Sequence, residues 1–158
     1  MAGASRLIRK KEKEISMIEP KNILVAEDSL EDFMLLEAAF KAAKLPHRLH
    51  NVRDGLQVVT YLKGEPPFGD RGVAPFPHLL ILDIHMPKVD AFDVLSFLRG
   101  RPELECPVIL LSGSLPPIDI RKAVNLGAAE CFDKPQEMGD LITLVQTIHH
   151  RWLHETGK

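Results

Sequence analysis

Five residues of this 158-residue chain could do chemistry together: the acid pair Glu27 and Asp28, then Asp83, Ser112 and Lys134, the last followed by Pro135. Each stands just past a short run that reads as a β-strand: Ile23 to Ala26, Leu79 to Leu82, Pro107 to Leu111 and Glu130 to Phe132. In an open sheet of parallel strands, residues beyond the carboxyl ends share one crevice. Three carboxylates, a hydroxyl and an ammonium would then meet. Three acids packed together repel one another and take up protons unless a divalent cation opposes their charge. Mg²⁺ suits an all-oxygen set best, because it accepts a few carboxylates and keeps water or phosphate oxygens in its octahedron. His150 and His154, four residues apart near the end of the chain, could touch one ion, but the ordinary reading of such a pair is a solvated helix face.

The elements that must position this set follow from Asn22 onward, where short apolar runs alternate with helical periodicity, the pattern of βα units around a parallel sheet. Ser29 is placed to cap a helix with Phe33, Leu36, Ala39 and Phe40 at helical spacing, stopped by Pro46. Arg48 to Val52 alternates and suits a sheet edge, and Asp54-Gly55 turns into a helix through Val58, Val59 and Leu62. Gly64 to His78 is rich in proline and glycine and reads as a long surface loop. Further helices begin at Asp90 and Pro117, and Met138, Leu141, Ile142, Val145, Ile148 and Trp152 form a stripe on the last. The expectation is an α/β fold, a doubly wound five-stranded parallel sheet flanked by five helices. Residues 20–154 form the domain, 1–19 a basic mobile tail and 155–158 a C-terminal tail, with no room for an output domain.

Composition agrees. Hydrophobic residues at 45% and charged ones at 27% describe a globular chain, and a net charge of -2 offers no electrostatic reason to expect nucleic acid. Two cysteines inside apolar runs read as core hydrophobes in a reducing compartment, the apolar runs are too short to span a bilayer, and no secretory h-region precedes them. The expectation is a cytoplasmic protein without nucleic-acid or membrane partners.

Four motifs, Ile-Leu-Val-Ala-Glu27-Asp28, Leu-Ile-Leu-Asp83-Ile-His-Met86-Pro87, Val-Ile-Leu-Leu-Ser112-Gly and Phe132-Asp-Lys134-Pro135, occur in this order at strand ends. Together they resemble the receiver domain of two-component response regulators, a flavodoxin-like fold, from Asn22 to Leu153. The stretch Leu45 to Gly55, the long loop and the Trp152-Leu153 ending are similar to stand-alone regulators that serve phytochrome-type histidine kinases. The resemblance implies that Asp83 is the phosphoacceptor and that Glu27, Asp28, Asp83 and the backbone carbonyl of His85 hold Mg²⁺. It further implies that Ser112 and Lys134 meet phosphoryl oxygens, that the Lys134-Pro135 bond is cis, and that a sensor histidine kinase or histidine phosphotransfer protein is the donor. A carboxylate can attack a phosphoryl group in line when fixed cations meet the charge on its equatorial oxygens, so the chemistry agrees. Such a protein is a phosphoacceptor that assists its own phosphorylation and dephosphorylation rather than an enzyme, and the final strand and helix are the expected surface for a homodimer.

Glu27 stands where the family more often has Asp, and Ala91 where glycine is usual. Cys131 holds the place of an aromatic residue that, in the family, fills space left by the hydroxyl residue, here Ser112, when that residue moves. Phe132 points to the opposite face and cannot replace it, so the switch formed by Ser112 and Cys131 lacks its bulky half. Three rival readings differ in the same residues. A pseudo-receiver would keep the fold as an interaction module without phosphorylation. An Asp-x-Asp phosphatase would need an acid where His85 stands, and a nucleotide or flavin carrier would need a glycine-rich loop where Glu27-Asp28 stands.

Overall fold

Three of the five strands have cores that are apolar and buried, because helices cover both faces of the sheet. A computed structural model of the chain describes residues 2–154; Met1 and the expected tail 155–158 lie outside the described residues. Strands β1 (Asn22–Ala26), β2 (Arg48–Val52), β3 (Leu79–Leu82), β4 (Val108–Ser112) and β5 (Glu130–Asp133) form one parallel sheet in the order β2-β1-β3-β4-β5. Every residue of the central strands β3 and β4 is buried, whereas β2 and β5 at the edges carry the polar residues. Side chains alternate between the faces. Leu24, Ala26, Leu80, Leu82 and Leu110 pack towards helices α3 (Gly55–Lys63), α4 (Ala91–Arg99) and α5 (Pro117–Asn125). Ile23, Val25, Ile81, Ile109 and Leu111 pack towards α2 (Leu30–Ala42) and α6 (Met138–Ile148). Each fully buried Leu or Ile contributes about 1.5–3 kcal/mol to this two-sided core. Cys131 and Phe132 fall on opposite faces, as strand alternation requires.

The helices start where short polar side chains satisfy free backbone N–H groups. Ser29 Oγ accepts from Asp32 N–H (3.2 Å), Asp54 Oδ1 from Gln57 N–H (2.8 Å), and Asp90 Oδ1 from Asp93 N–H (2.9 Å). Gly55 has a further reason to lack a side chain. Its N–H donates to Val89 O at 3.1 Å, and a Cβ would sit 2.1 Å from that oxygen. This close approach ties α3 to the loop that leaves β3.

Three expectations change. Five helices flank the sheet, but a sixth, α1 (Ala2–Ser16), precedes them where a mobile tail was expected. Arg, Lys, Glu, Leu and Ile are good helix formers, no Gly or Pro interrupts Ala4 to Ser16, and Arg9 reaches Ser5 Oγ one turn back (3.3 Å). Its residues from Gly3 to Glu14 are exposed. The last helix also ends differently. After Ile148 the chain widens into a π-helical turn, His149–Leu153, closed by His154 N–H to His149 O (2.6 Å). The extra residue rotates the apolar stripe, so Leu153 rather than Trp152 follows Ile148 into the core; Trp152 is half-buried and donates its indole N–H to Glu130 Oε2 (2.9 Å). The loop from Gly64 to His78 is more than surface. Arg71 donates to Tyr61 O (2.9 Å), Leu62 O (2.8 Å) and Ala74 O (3.2 Å), and Ala74, Phe68 and Phe76 pack against the core.

Candidate functional site

The chain reverses its direction of winding between β1 and β3, and the crevice there opens at the carboxyl ends of the strands. The ladder itself reaches into the crevice. Glu27 N–H donates to Val52 O (2.9 Å), Asp83 N–H to Ala26 O (3.2 Å) and Lys134 N–H to Ser112 O (2.8 Å), so each residue sits one rung past its strand. Asn51 Nδ2 donates to Glu27 O (3.1 Å) and fixes the turn after β1.

Lys134 is the centre of the arrangement. Its Nζ donates to Glu27 Oε2 at 2.6 Å, Asp83 Oδ2 at 2.9 Å and Asp32 Oδ2 at 3.0 Å, one carboxylate for each ammonium hydrogen. The other oxygens of the buried acids are held by backbone N–H groups, Glu27 Oε1 by Ser29 (3.1 Å) and Asp83 Oδ1 by His85 (3.0 Å). Glu27 and Asp83 are 5% and 8% exposed; Asp28 is open to solvent. Carboxylate oxygens of Glu27, Asp28 and Asp83 all lie within 4.8 Å of one another, and among the described residues no other group of three or more His, Cys, Asp or Glu side chains does this, the His150 and His154 pair included.

Burial raises the Glu27 carboxyl above its ordinary value, against the lowering effect of Lys134 and the Ser29 N–H, and the charge of Asp83 adds to the rise. Burial alone would lower the Lys134 ammonium, but its hydrogen bonds to Glu27, Asp83 and Asp32 outweigh this and hold it above the ordinary lysine value. The two directions differ because one cation serves several anions. Lysine gains from every partner, while each acid receives only a share and also feels its neighbours. Three carboxylates share the one ammonium and Asp28 adds a fourth beside Glu27 and Asp83, so the cluster is short of positive charge, and the all-oxygen donor set of Glu27, Asp28 and Asp83 fits a hard divalent cation.

Ser112 is fully buried, and its Oγ has no hydrogen-bond partner, a state that costs about 1–3 kcal/mol. It lies at the end of β4, next to β3, on the face that carries Leu110 and Cys131. Lys134-Pro135 is trans, contrary to expectation: the cis bond among the described residues is Pro66-Pro67. An X–Pro bond prefers trans by only about 0.5–1 kcal/mol, so the dipeptide alone does not decide the isomer.

Of the residues expected at the site, the structure brings Glu27, Asp28, Asp83 and Lys134 into one cluster and places Ser112 at the end of the neighbouring strand; Asp32 was not expected. In sequence Asp32 looks like an ordinary acid of a first helical turn. The available signal is that this helix begins directly at the crevice, which brings its first turn, Leu30 to Asp32, close to the acid pair.

Residues 23–146 match the response regulator receiver domain family. This chain belongs to that family. It is 33% identical over 135 residues to response regulator Rcp1 of Synechocystis sp., covering 85% of this chain and 90% of that protein. Among solved structures, the phosphorylated cyanobacterial phytochrome response regulator RcpA superposes with a TM-score of 0.77 at 30% identity, covering 89% of this chain and 98% of that one. The Mn²⁺-bound form of Rcp1 gives 0.74 at 32%, covering 88% and 98%. The receiver domain is therefore a response regulator of two-component signalling, similar to stand-alone phytochrome-associated members. No helix among the described residues is long and apolar enough to cross a membrane.

Proposed function

We propose that Asp83 accepts a phosphoryl group from a sensor histidine kinase or histidine phosphotransfer protein, of the phytochrome type, in a Mg²⁺-dependent reaction. The observation that carries this is Asp83 itself: a buried carboxylate at the end of β3, hydrogen-bonded to Lys134, clustered with Glu27 and Asp28, and one strand from the unpartnered Ser112 hydroxyl. An Asp83 oxygen forms a bond to phosphorus while the bond from phosphorus to the donor imidazole nitrogen breaks. Lys134 exchanges a carboxylate partner for a phosphoryl oxygen, and Ser112 donates to another. Glu27, Asp28, Asp83 and the His85 carbonyl are the residues that would hold Mg²⁺, which supplies charge against the equatorial oxygens. A pseudo-receiver that never takes phosphate has no use for this complete set.

The donor's surface is suggested by α2, whose Leu30, Met34 and Leu35 are exposed large apolar side chains on the helix that also brings Asp32 to the site. A helical donor could cover that patch while presenting its histidine to Asp83. The protein acts in the cytoplasm as a phosphoacceptor rather than as an enzyme, and pairs with a second copy through β5 and α6, with Trp152 at their edge. The test is incubation with a small phosphodonor. Wild type should gain one phosphoryl mass in Mg²⁺ and none in excess chelator; labelling that is indifferent to chelation overturns the reading.

A further inference from the structure

The ammonium of Lys134 has three hydrogens and three carboxylate partners, but only two of those partners belong to the cation cluster. Glu27 and Asp83 do; Asp32 does not. A divalent cation and the ammonium therefore compete for the same two side chains, and like charges a few ångströms apart repel. Once the cation claims Glu27 and Asp83, the ammonium needs another anion. It cannot retreat inward, because the cavity of about 60 Å³ beneath it is walled by Phe33, Leu36, Ile81, Leu111 and Leu141. Asp32 stands at the mouth of this cavity, 3.0 Å from Nζ, with its backbone fixed by the Ser29 cap and its side chain 43% exposed, so its remaining oxygen is hydrated cheaply.

We propose that Asp32 is a positioning residue: it retains the Lys134 ammonium when the cation takes Glu27 and Asp83, and so raises divalent-cation affinity without ligating the cation. This deepens the phosphoacceptor reading and rests on the cation site belonging to it. Asp32 also keeps the ammonium beside Asp83, where an incoming phosphoryl oxygen needs it.

The experiment is calorimetric titration with Mg²⁺, without any phosphodonor, of wild type, Asp32→Asn, Asp32→Glu, Lys134→Met and the double variant Asp32→Asn/Lys134→Met. A half-exposed charge pair is modest in water, so Asp32→Asn should weaken Mg²⁺ binding about threefold to tenfold, and Asp32→Glu should stay within about twofold of wild type. In the Lys134→Met background, where no ammonium has to be held, adding Asp32→Asn should change affinity by less than about twofold. Equal losses in both backgrounds would mean that Asp32 attracts the cation directly and would overturn the positioning role. Unchanged affinity in Asp32→Asn would overturn it too, while leaving the phosphoacceptor reading intact. Failure of wild type to bind Mg²⁺ would overturn both.

Discussion

Acid should unfasten this protein at the pole opposite the carboxylate cluster. Lys21 N–H donates to His47 Nδ1 (3.0 Å), which leaves the His47 proton on Nε2, 2.9 Å from His149 Nδ1. The pair is buried, at 8% and 4% exposure, and joins the starts of β1 and β2 to the π-helical turn. Neither ring can take a second proton without aiming it at a donor. Burial, then the charges of His149, Lys21 and His78, push His47 down from 6.5 to about 4; burial, His150 and His154 lower His149 as well. A lowered folded value means that the neutral ring is the folded form. The stability it provides is complete above pH 6.5 and is lost as pH falls towards 4. Each pH decade in that window removes about 1.4 kcal/mol, so His47 alone accounts for about 2–3 kcal/mol between pH 7 and pH 4.5. His47→Gln supplies the matched control, since its amide can accept from Lys21 and donate to His149 without titrating. Urea unfolding of both proteins across this range should give curves that converge or cross as pH falls, wild type losing about 2–3 kcal/mol more than the variant. Parallel curves would refute the reasoning.

Three further substitutions probe the site and its frame. Ser112→Ala removes a buried, unpartnered hydroxyl and should raise unfolding stability by about 1 kcal/mol while slowing phosphorylation; a loss of stability would mean that the hydroxyl is satisfied. Gly55→Ala drives a Cβ to within 2.1 Å of Val89 O and should cost about 1–3 kcal/mol in a urea melt, together with slower phosphorylation through the displaced β3 loop. Cys131→Ala should leave phosphorylation-dependent self-association, followed by sedimentation with and without beryllofluoride, as in wild type; its loss at unchanged stability would make Cys131 the transmitter after all.

The sheet and most of the site were legible because the chemistry follows directly on strands whose character is plain. Leu79 to Leu82 and Val108 to Leu111 are apolar on both faces, so Asp83 and Ser112 had to emerge at their ends. Ser29, Asp54, Asp90 and Pro117 marked helix starts through local capping and φ preference. What was not legible depends on partners distant in the chain. Asp32 matters only because Lys134 arrives 102 residues later, and the same separation divides His47 from His149. The π-helical turn is a one-residue shift in backbone pairing that leaves no mark in composition, and it redirected Trp152. Helix α1 was underestimated because charge was taken as the sign of a solvated tail, although the same Lys, Arg and Glu residues favour a helix.

The central claim is that Asp83 forms the acyl phosphate, and reductive trapping tests it directly. Borohydride converts a phosphorylated aspartate to homoserine, so peptide mass spectrometry after exposure to phosphodonor and Mg²⁺ reads out the acceptor. Homoserine at position 83 in wild type, and none anywhere in Asp83→Asn, is the expected result. Homoserine at position 28 or 32, or trapping that persists in Asp83→Asn, would contradict the assignment.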